Sequence, residues 1–249
     1  MYKGKTILAI IPARGGSKGL PGKNIKELHG KPLIGWSISQ AQESKYIDEI
    51  FISTDSQEIA NVAECCGVQV SSLRPAHLAS DTASSMDFIE YTINLMEEQG
   101  KIFDYLILLE PTSPLRDVED IDKSLEMLID HPIAKSIVGV CKSEGQHPIS
   151  LTKIKNDFLV PYIERNKSVR RQDLEELYFF EGTVYATSID GFRQYRLFYH
   201  KECLAYVVPK WKSFEVDDFV DFTIIEAIMR LKLLSLIHIS EPTRLALIS

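Results

Sequence analysis

Short apolar runs separated by polar turns give this chain its first reading. Ile7-Leu8-Ala9-Ile10-Ile11 shows no polar alternation, the pattern of a strand buried on both faces of a parallel sheet, and Pro12 ends it. Between Pro32 and Ser44 the residues Leu33, Trp36, Ile38 and Ala41 recur at roughly helical spacing. Ile50 to Thr54 reads as a second strand, closed by Asp55 and Ser56, which are expected to cap a helix from Gln57 to Cys66. Val68 to Ser71 reads as a third strand, Met86 to Glu98 as a helix and Tyr105 to Leu109 as a fourth buried strand. A helix from Val118 to Asp130, a strand from Ser136 to Cys141 and a closing helix from Asp218 to Leu233 follow. Strands alternating with helices over short connections predict an α/β fold built on a doubly wound, mostly parallel sheet. Ligands of such sheets bind beyond the carboxyl ends of the strands.

The polar stretch after the first strand changes the picture from fold to chemistry. It reads P-A-R-G-G-S-K-G-L-P-G-K-N from Pro12 to Asn24, with four glycines and the cations Arg14, Lys18 and Lys23. Glycines let backbone N–H groups turn toward a ligand, and like charges crowded on one loop repel unless an anion gathers them. A triphosphate fits that description. The spacing matches neither G-x-x-x-x-G-K-[ST] nor G-x-G-x-x-G.

Composition narrows the setting. A hydrophobic content of 45% is enough for a proper core, and a net charge of −7 argues against a nucleic-acid-binding surface, so the cationic loop is a local exception. No signal peptide or membrane-length apolar run is evident. Cys65, Cys66, Cys141 and Cys203 show no metal-ligand spacing and read as reduced thiols, which places the protein in the cytoplasm.

The opening motif closely resembles that of the acylneuraminate cytidylyltransferases, which activate sialic acids as CMP-sugars, and the resemblance covers Thr6 to about Leu233. It implies a nucleotide-diphospho-sugar transferase-like fold, CTP and an acidic sugar as substrates, and pyrophosphate as product. By this resemblance Arg14, Lys18 and Lys23 are the catalytic cations, and Ala13, Arg14, Lys23 and Asn24 bind the nucleotide. The segment Arg74 to Ser85 is similar to the family's R-P-x-x-L-A-x-D-x-[AS]-S, which implies that Arg74, Ser84 and Ser85 contact base and ribose. The bare residues Asp81 to Ser85 equally describe a helix cap.

Three acids depart from the family pattern. Glu110 stands where L-L-Q-P-T-S-P-L-R has a glutamine near the sugar, and a carboxylate repels an acidic sugar and donates no hydrogen bond. Glu181 replaces an asparagine in the motif that supplies Arg171, Gln172 and Tyr185 to the sugar, Arg171 being suited to a bidentate carboxylate pair. Glu215 replaces the first acid of D-I-D, whose two acids hold Mg²⁺ in the family; Asp217 matches the second. Acids at i and i+2 of an extended segment share one side and suit a hard cation, although a solvated strand edge has the same pattern. Phe198 and Tyr199 fall where the family places aromatics against the sugar; as bare residues they read as core.

The expected organisation is a cytidylyltransferase domain over residues 1–233, with 142–180 as an arm reaching into a second subunit of a homodimer. A plain surface hairpin is the alternative for that polar segment. Residues 234–249 include L-S-L-I-H-I-S-E-P-T-R, which resembles a translated sequencing-library adapter and is set aside as a non-native tail. The expected activity is CMP transfer from CTP to an N-acylneuraminate-type sugar with Mg²⁺ as cofactor, without nucleic-acid or membrane partners. The alternatives are the same chemistry on legionaminic, pseudaminic or 3-deoxy-octulosonic acid, and a nucleotide-binding paralogue without turnover.

Overall fold

The computed structural model describes residues 1–80, 82–144, 147–163, 170 and 174–240. The central sheet has six strands in the order β10-β6-β9-β5-β1-β4. These are β1 (Ile7–Pro12), β4 (Glu49–Ser53), β5 (Tyr105–Leu108), β6 (Ser136–Lys142), β9 (Tyr178–Ser188) and β10 (Cys203–Val208). β1 pairs in parallel with β4 and β5, and β6 with β10, whereas β9 runs antiparallel between β5 and β6. The sheet is therefore mostly parallel, as expected, with one reversed strand at its middle.

The alternation along β1 explains why it is central. Ile7, Ala9 and Ile11 face the helices α1 (Leu33–Glu43), α2 (Gln57–Cys65) and α4 (Val118–Asp130), through Ile34, Ile38, Ile59, Ile121 and Leu125. Leu8 and Ile10 face α3 (Ser85–Glu98) and α5 (Ile189–Tyr195), through Phe88, Ile89, Ile93 and Phe192. A strand with apolar cover on both faces must be apolar throughout. The helix α6 (Phe219–Ser240) packs Phe222, Ile225 and Met229 on Leu28, Leu33 and Leu115 at the loop edge of the sheet. It runs past the expected end at Leu233, because no proline or glycine interrupts the chain before Pro242.

Two expectations are corrected. Val68 to Ser71 is not a strand: Val68 tucks into the core behind α2, and the chain passes the β4 edge without laddering, joining it only where the Arg74 N–H donates to Thr54 O at 2.6 Å. Asp55 does not cap α2, because Ser56 does so by accepting from the Ile59 N–H. β9 and β10 had no counterpart in the apolar pattern, since Glu181 and Gly182 interrupt the first and the second is only half buried.

Within 142–180, β7 (Thr152–Lys155) and β8 (Phe158–Pro161) form a separate hairpin. Asn156 and Asp157 turn it with φ of 49° and 65°, the left-handed pair that a two-residue turn between twisted strands needs. Ile154 and Phe158 are each 75% exposed, and Leu159, Tyr162 and the start of β9 (Tyr178, Phe179, Phe180) also stand out to solvent. The small strands β2 (Glu27–Leu28) and β3 (Lys31–Pro32) pair with each other ahead of α1.

Candidate functional site

The carboxyl ends of β4, β1 and β5 lie side by side, and the cationic loop leaves from the middle one. Its path is fixed by three bonds. Ala13 N–H extends the ladder to Ser53 O at 2.9 Å, Gly15 N–H donates to the Asp55 carboxylate at 2.9 Å, and Asn24 Nδ2 donates to Arg14 O at 3.0 Å. Asp55 is thus a loop anchor, which its position after a strand did not reveal. The loop ends in a 3₁₀ turn at Lys23–Ile25 that aims Lys23 across the site. Its ammonium donates to Val216 O at 2.9 Å and lies 3.5 Å from Asp217 Oδ1.

The acidic segment is pressed against this loop. A Cβ on Gly19 would stand 2.2 Å from Asp217 O, so only glycine allows the approach. Val216 N–H also donates to Thr112 O at 2.8 Å, which ties the segment to the Pro111-Thr112-Ser113-Pro114 turn. Three stretches far apart in sequence meet here because each begins or ends at the same sheet edge.

Together they enclose a cleft of about 520 Å³. Arg14, Lys18, Lys23 and Asn24 line one side, Arg74, Ser85 and Phe88 another, and Glu110, Thr112 and Asp217 the rest. Ala13 is buried behind the wall, and Ser84 caps α3 by accepting from Met86 N–H at 3.2 Å. Arg74 is nearly buried; it donates to Ser53 Oγ and Ser53 O and lays its guanidinium 4.1 Å over the Phe88 ring. Burial lowers its pKa to about 10, with Asp55 opposing and Arg14 adding to the shift, so it remains a cation at neutral pH.

The far end of the cleft is acidic. Glu110 lies in the wall, and burial, then the Glu215 charge, raises its carboxyl to about 7 against the pull of Arg116 and Lys23. Burial also raises Glu215, although Gly182 N–H bonds to it. Glu181 is only 1% exposed and does not open into the cleft. Its Oε2 accepts from Thr183 N–H at 3.0 Å and from the Thr183 hydroxyl, while Oε1 has no partner. A Cβ on Gly139 would be 1.9 Å from that Oε1, so β6 leaves a glycine-sized gap for the acid beside its bulge.

Arg116 organises this end and was passed over in the sequence, where it is one residue of P-T-S-P-L-R. It is fully buried, and its guanidinium N–H groups reach Thr183 O, Ser37 Oγ, Gln40 Oε1, Glu110 O and Gly182 O at 2.6 to 3.5 Å. Burial brings its pKa down to about 10 despite the surrounding acids. It acts as a clasp between the turn after β5, α1 and β9.

Of the residues expected at the sugar, Tyr185 sits on β9 with its ring 5.5 Å from Phe198, and burial followed by the Glu110 charge raises its hydroxyl pKa. Phe198 is core, packed on Phe192 as well. Tyr199 is exposed and meets Phe180 at 4.9 Å, outside the cleft lining. Arg171 and Gln172 lie outside the described residues.

A parallel sheet with a glycine-rich cationic loop at its carboxyl edge and acids opposite defines a nucleotide-binding α/β protein. Residues 8–206 match the cytidylyltransferase family, and the chain belongs to it. It is 34% identical over 227 residues to post-translational flagellin modification protein B of Campylobacter coli, covering 91% of this chain and 96% of that one. It is 35% identical over 235 residues to CMP-N,N'-diacetyllegionaminic acid synthase of Legionella pneumophila, covering 90% and 97%. To N-acylneuraminate cytidylyltransferase of Escherichia coli it is 30% identical over 227 residues, spanning 91% of this chain but only 52% of that relative. Among solved structures, CMP:2-keto-3-deoxy-manno-octonic acid synthetase complexed with CTP superposes with a TM-score of 0.67 at 18% identity, covering 91% and 99%. That likeness shows the fold.

Proposed function

We propose that the chain transfers CMP from CTP to the anomeric hydroxyl of an acidic nonulosonic sugar of the N-acylneuraminate type and releases pyrophosphate. The observation that carries this reading is the meeting of Arg14, Lys18 and Lys23 with Asp217 in one cleft. The anomeric oxygen attacks the α-phosphorus as its hydroxyl proton passes to solvent, an O–P bond forms, and the bond from the α-phosphorus to the bridging oxygen breaks, so that pyrophosphate leaves. Little covalent work falls to the protein in such a transfer; it positions the reactants and neutralises charge. Arg14, Lys18 and Lys23 take up the negative charge of the departing pyrophosphate. Arg74, braced on Phe88, serves the base with Ser85, and Ser84 holds the helix that presents them.

Glu215 and Asp217 are suited to Mg²⁺: both are oxygen donors, Asp217 is 83% exposed, and its charge raises Glu215, so the two share a field. Glu215 and Asp217 are the two side chains that would hold the ion; among the described residues no group of three His, Cys, Asp or Glu is placed to do so. Bound there, Mg²⁺ supplies charge neutralisation at the triphosphate. Glu110 in the cleft wall serves the sugar, and Tyr185, Phe198, Tyr199, Arg171 and Gln172 complete the sugar set by family position, Tyr185, Phe198 and Tyr199 standing behind or outside the cleft lining. The exposed hairpin of 142–180 belongs to a homodimer interface, and residues 234–249 take no part. The reaction is cytoplasmic, in keeping with unpaired cysteines and with no described helix long and apolar enough to cross a membrane.

Glu110, which lines the cleft where the family has a glutamine, favours a second reading of the same chemistry, on a legionaminic, pseudaminic or 3-deoxy-octulosonic acid. Pyrophosphate release with CTP, Mg²⁺ and a panel of these acids tests both readings. CTP, and not ATP or GTP, is expected to raise the melting temperature and to support release with one of the sugars. Stabilisation by CTP without release from any sugar would instead mark a nucleotide-binding paralogue.

A further inference from the structure

Glu215 is one methylene longer than the aspartate of the family pattern, and that length brings its carboxyl onto Gly182 of β9. The carboxylate accepts from Gly182 N–H. A Cβ on Gly182 would stand 2.9 Å from Glu215 Cδ, 3.0 Å from its Oε1 and 2.2 Å from Ser113 Oγ. The acid thus rests in a gap above the bare Cα of Gly182. Because Gly182 has no positive φ, the gap and not the backbone conformation calls for glycine. Gly182 is held from the other side as well. The buried Arg116 donates from Nη2 to Gly182 O at 3.5 Å and from Nε to Thr183 O at 2.6 Å. Ser113, which closes the gap, is fully buried with its hydroxyl unpartnered, on the turn that Val216 N–H ties down through Thr112 O.

From this packing we infer that Gly182 is a positioning residue for the metal acids: its N–H and the gap above its Cα fix where the Glu215 carboxylate stands, and Arg116 braces the strand behind it. This rests on the reading that Glu215 and Asp217 hold Mg²⁺. Groups that hydrogen-bond a ligating carboxylate set its orientation, and their loss costs roughly 10- to 100-fold in metal affinity. An aspartate ends one methylene short of the gap, so its carboxyl does not depend on Gly182 in this way.

The test is a double-variant cycle read as the affinity for Mn²⁺, which takes the same oxygen ligands as Mg²⁺. Electron paramagnetic resonance of the protein with CTP and without sugar reads the metal with no turnover. Ser113→Ala is the common background, because it removes the atom nearest to the added Cβ. In that background Gly182→Ala is expected to weaken Mn²⁺ about tenfold or more. With Glu215→Asp also present, Gly182→Ala is expected to change the affinity by no more than about twofold, as for sites that no longer touch. The thermal shift with CTP verifies that each variant is folded and binds nucleotide. Equal losses with and without Glu215→Asp would overturn the inference, since a glycine that only packs the strand costs the same in both; no loss in either would overturn it too. Should Gly182→Ala not fold, Arg116→Lys keeps the buried charge, gives up the planar fork and is read in the same cycle. It is expected to weaken Mn²⁺ more with Glu215 in place than with Glu215→Asp, and an equal effect would overturn the inference. Failure of the underlying reading looks different: an Mn²⁺ affinity that Asp217→Asn and Glu215→Gln both leave unchanged would remove the metal site and this inference together.

Discussion

Glu181 puts a carboxyl where water cannot reach it, and only half of it is satisfied. Burial, with the Glu215 charge adding to it, raises its pKa to about 7, although the Thr183 bonds and Arg116 pull it down. The folded protein therefore holds this proton more tightly than the unfolded chain does. Stability is greatest while both states are protonated, falls as pH rises from about 4.5 toward 7, and stays reduced above that. Glu181→Gln keeps an oxygen for Thr183 and removes the charge. The variant is expected to melt higher than the wild type at pH 8 and to flatten the decline between pH 5 and 7, as read by calorimetry across that range. A variant that melts lower at pH 8 would show that the buried charge is compensated after all.

At the scale of elements, the acidic segment depends on an ion-pair knot beside it. Lys212, in the turn just before Ser213, is buried and contacts Asp120 at 2.5 Å and Asp117 at 2.8 Å. Those two acids form the capping box of α4, and Lys232 of α6 closes on Asp117 from the other side. Tyr206 of β10 donates to Asp120 as well. One lysine thus joins the start of α4 to the segment leading to Glu215 and Asp217. Removing one partner of a buried ion pair costs about 3–5 kcal/mol, because the other charges stay buried. Lys212→Met is expected to lower the melting temperature by roughly 10 °C. Adding Asp120→Asn to it should recover part of that loss, which thermal melts of the single and double variants would read.

At the scale of the whole molecule, the polar segment 142–180 carries exposed apolar side chains among its described residues. Ile154, Phe158 and Leu159 of the hairpin and Tyr178 to Phe180 of β9 are exposed together on 142–180. Exposed apolar surface of this extent marks an interaction site. The proposed homodimer gives it a concrete test: Ile154→Asp with Phe158→Asp is expected to shift the protein from dimer to monomer in sedimentation, with its fold intact by circular dichroism. A wild-type protein that sediments as a monomer at micromolar concentration would refute the arm.

What the sequence determined is whatever depends on neighbours along the chain. The buried run Ile7 to Ile11, the helices α1 to α4 and the cationic loop all follow from local period and turn chemistry. So did the family, because Pro12 to Asn24 is one continuous motif. Tertiary structure decided what depends on neighbours across it. Val68 to Ser71 is apolar enough for a strand, yet the β4 edge gives it no ladder. Tyr178 to Ser188 carries a glutamate and a glycine, yet it becomes the reversed strand, because β5 and β6 present open edges on both sides of it. Asp55 caps nothing, because the Gly15 N–H comes within reach and Ser56 is already in the capping position. Arg116 stood at the end of a family motif without revealing its role, since a clasp is defined by oxygens contributed from three separate elements. Hydrogen-bond partners of buried polar groups are set by packing, and packing exists only once the chain has closed on itself.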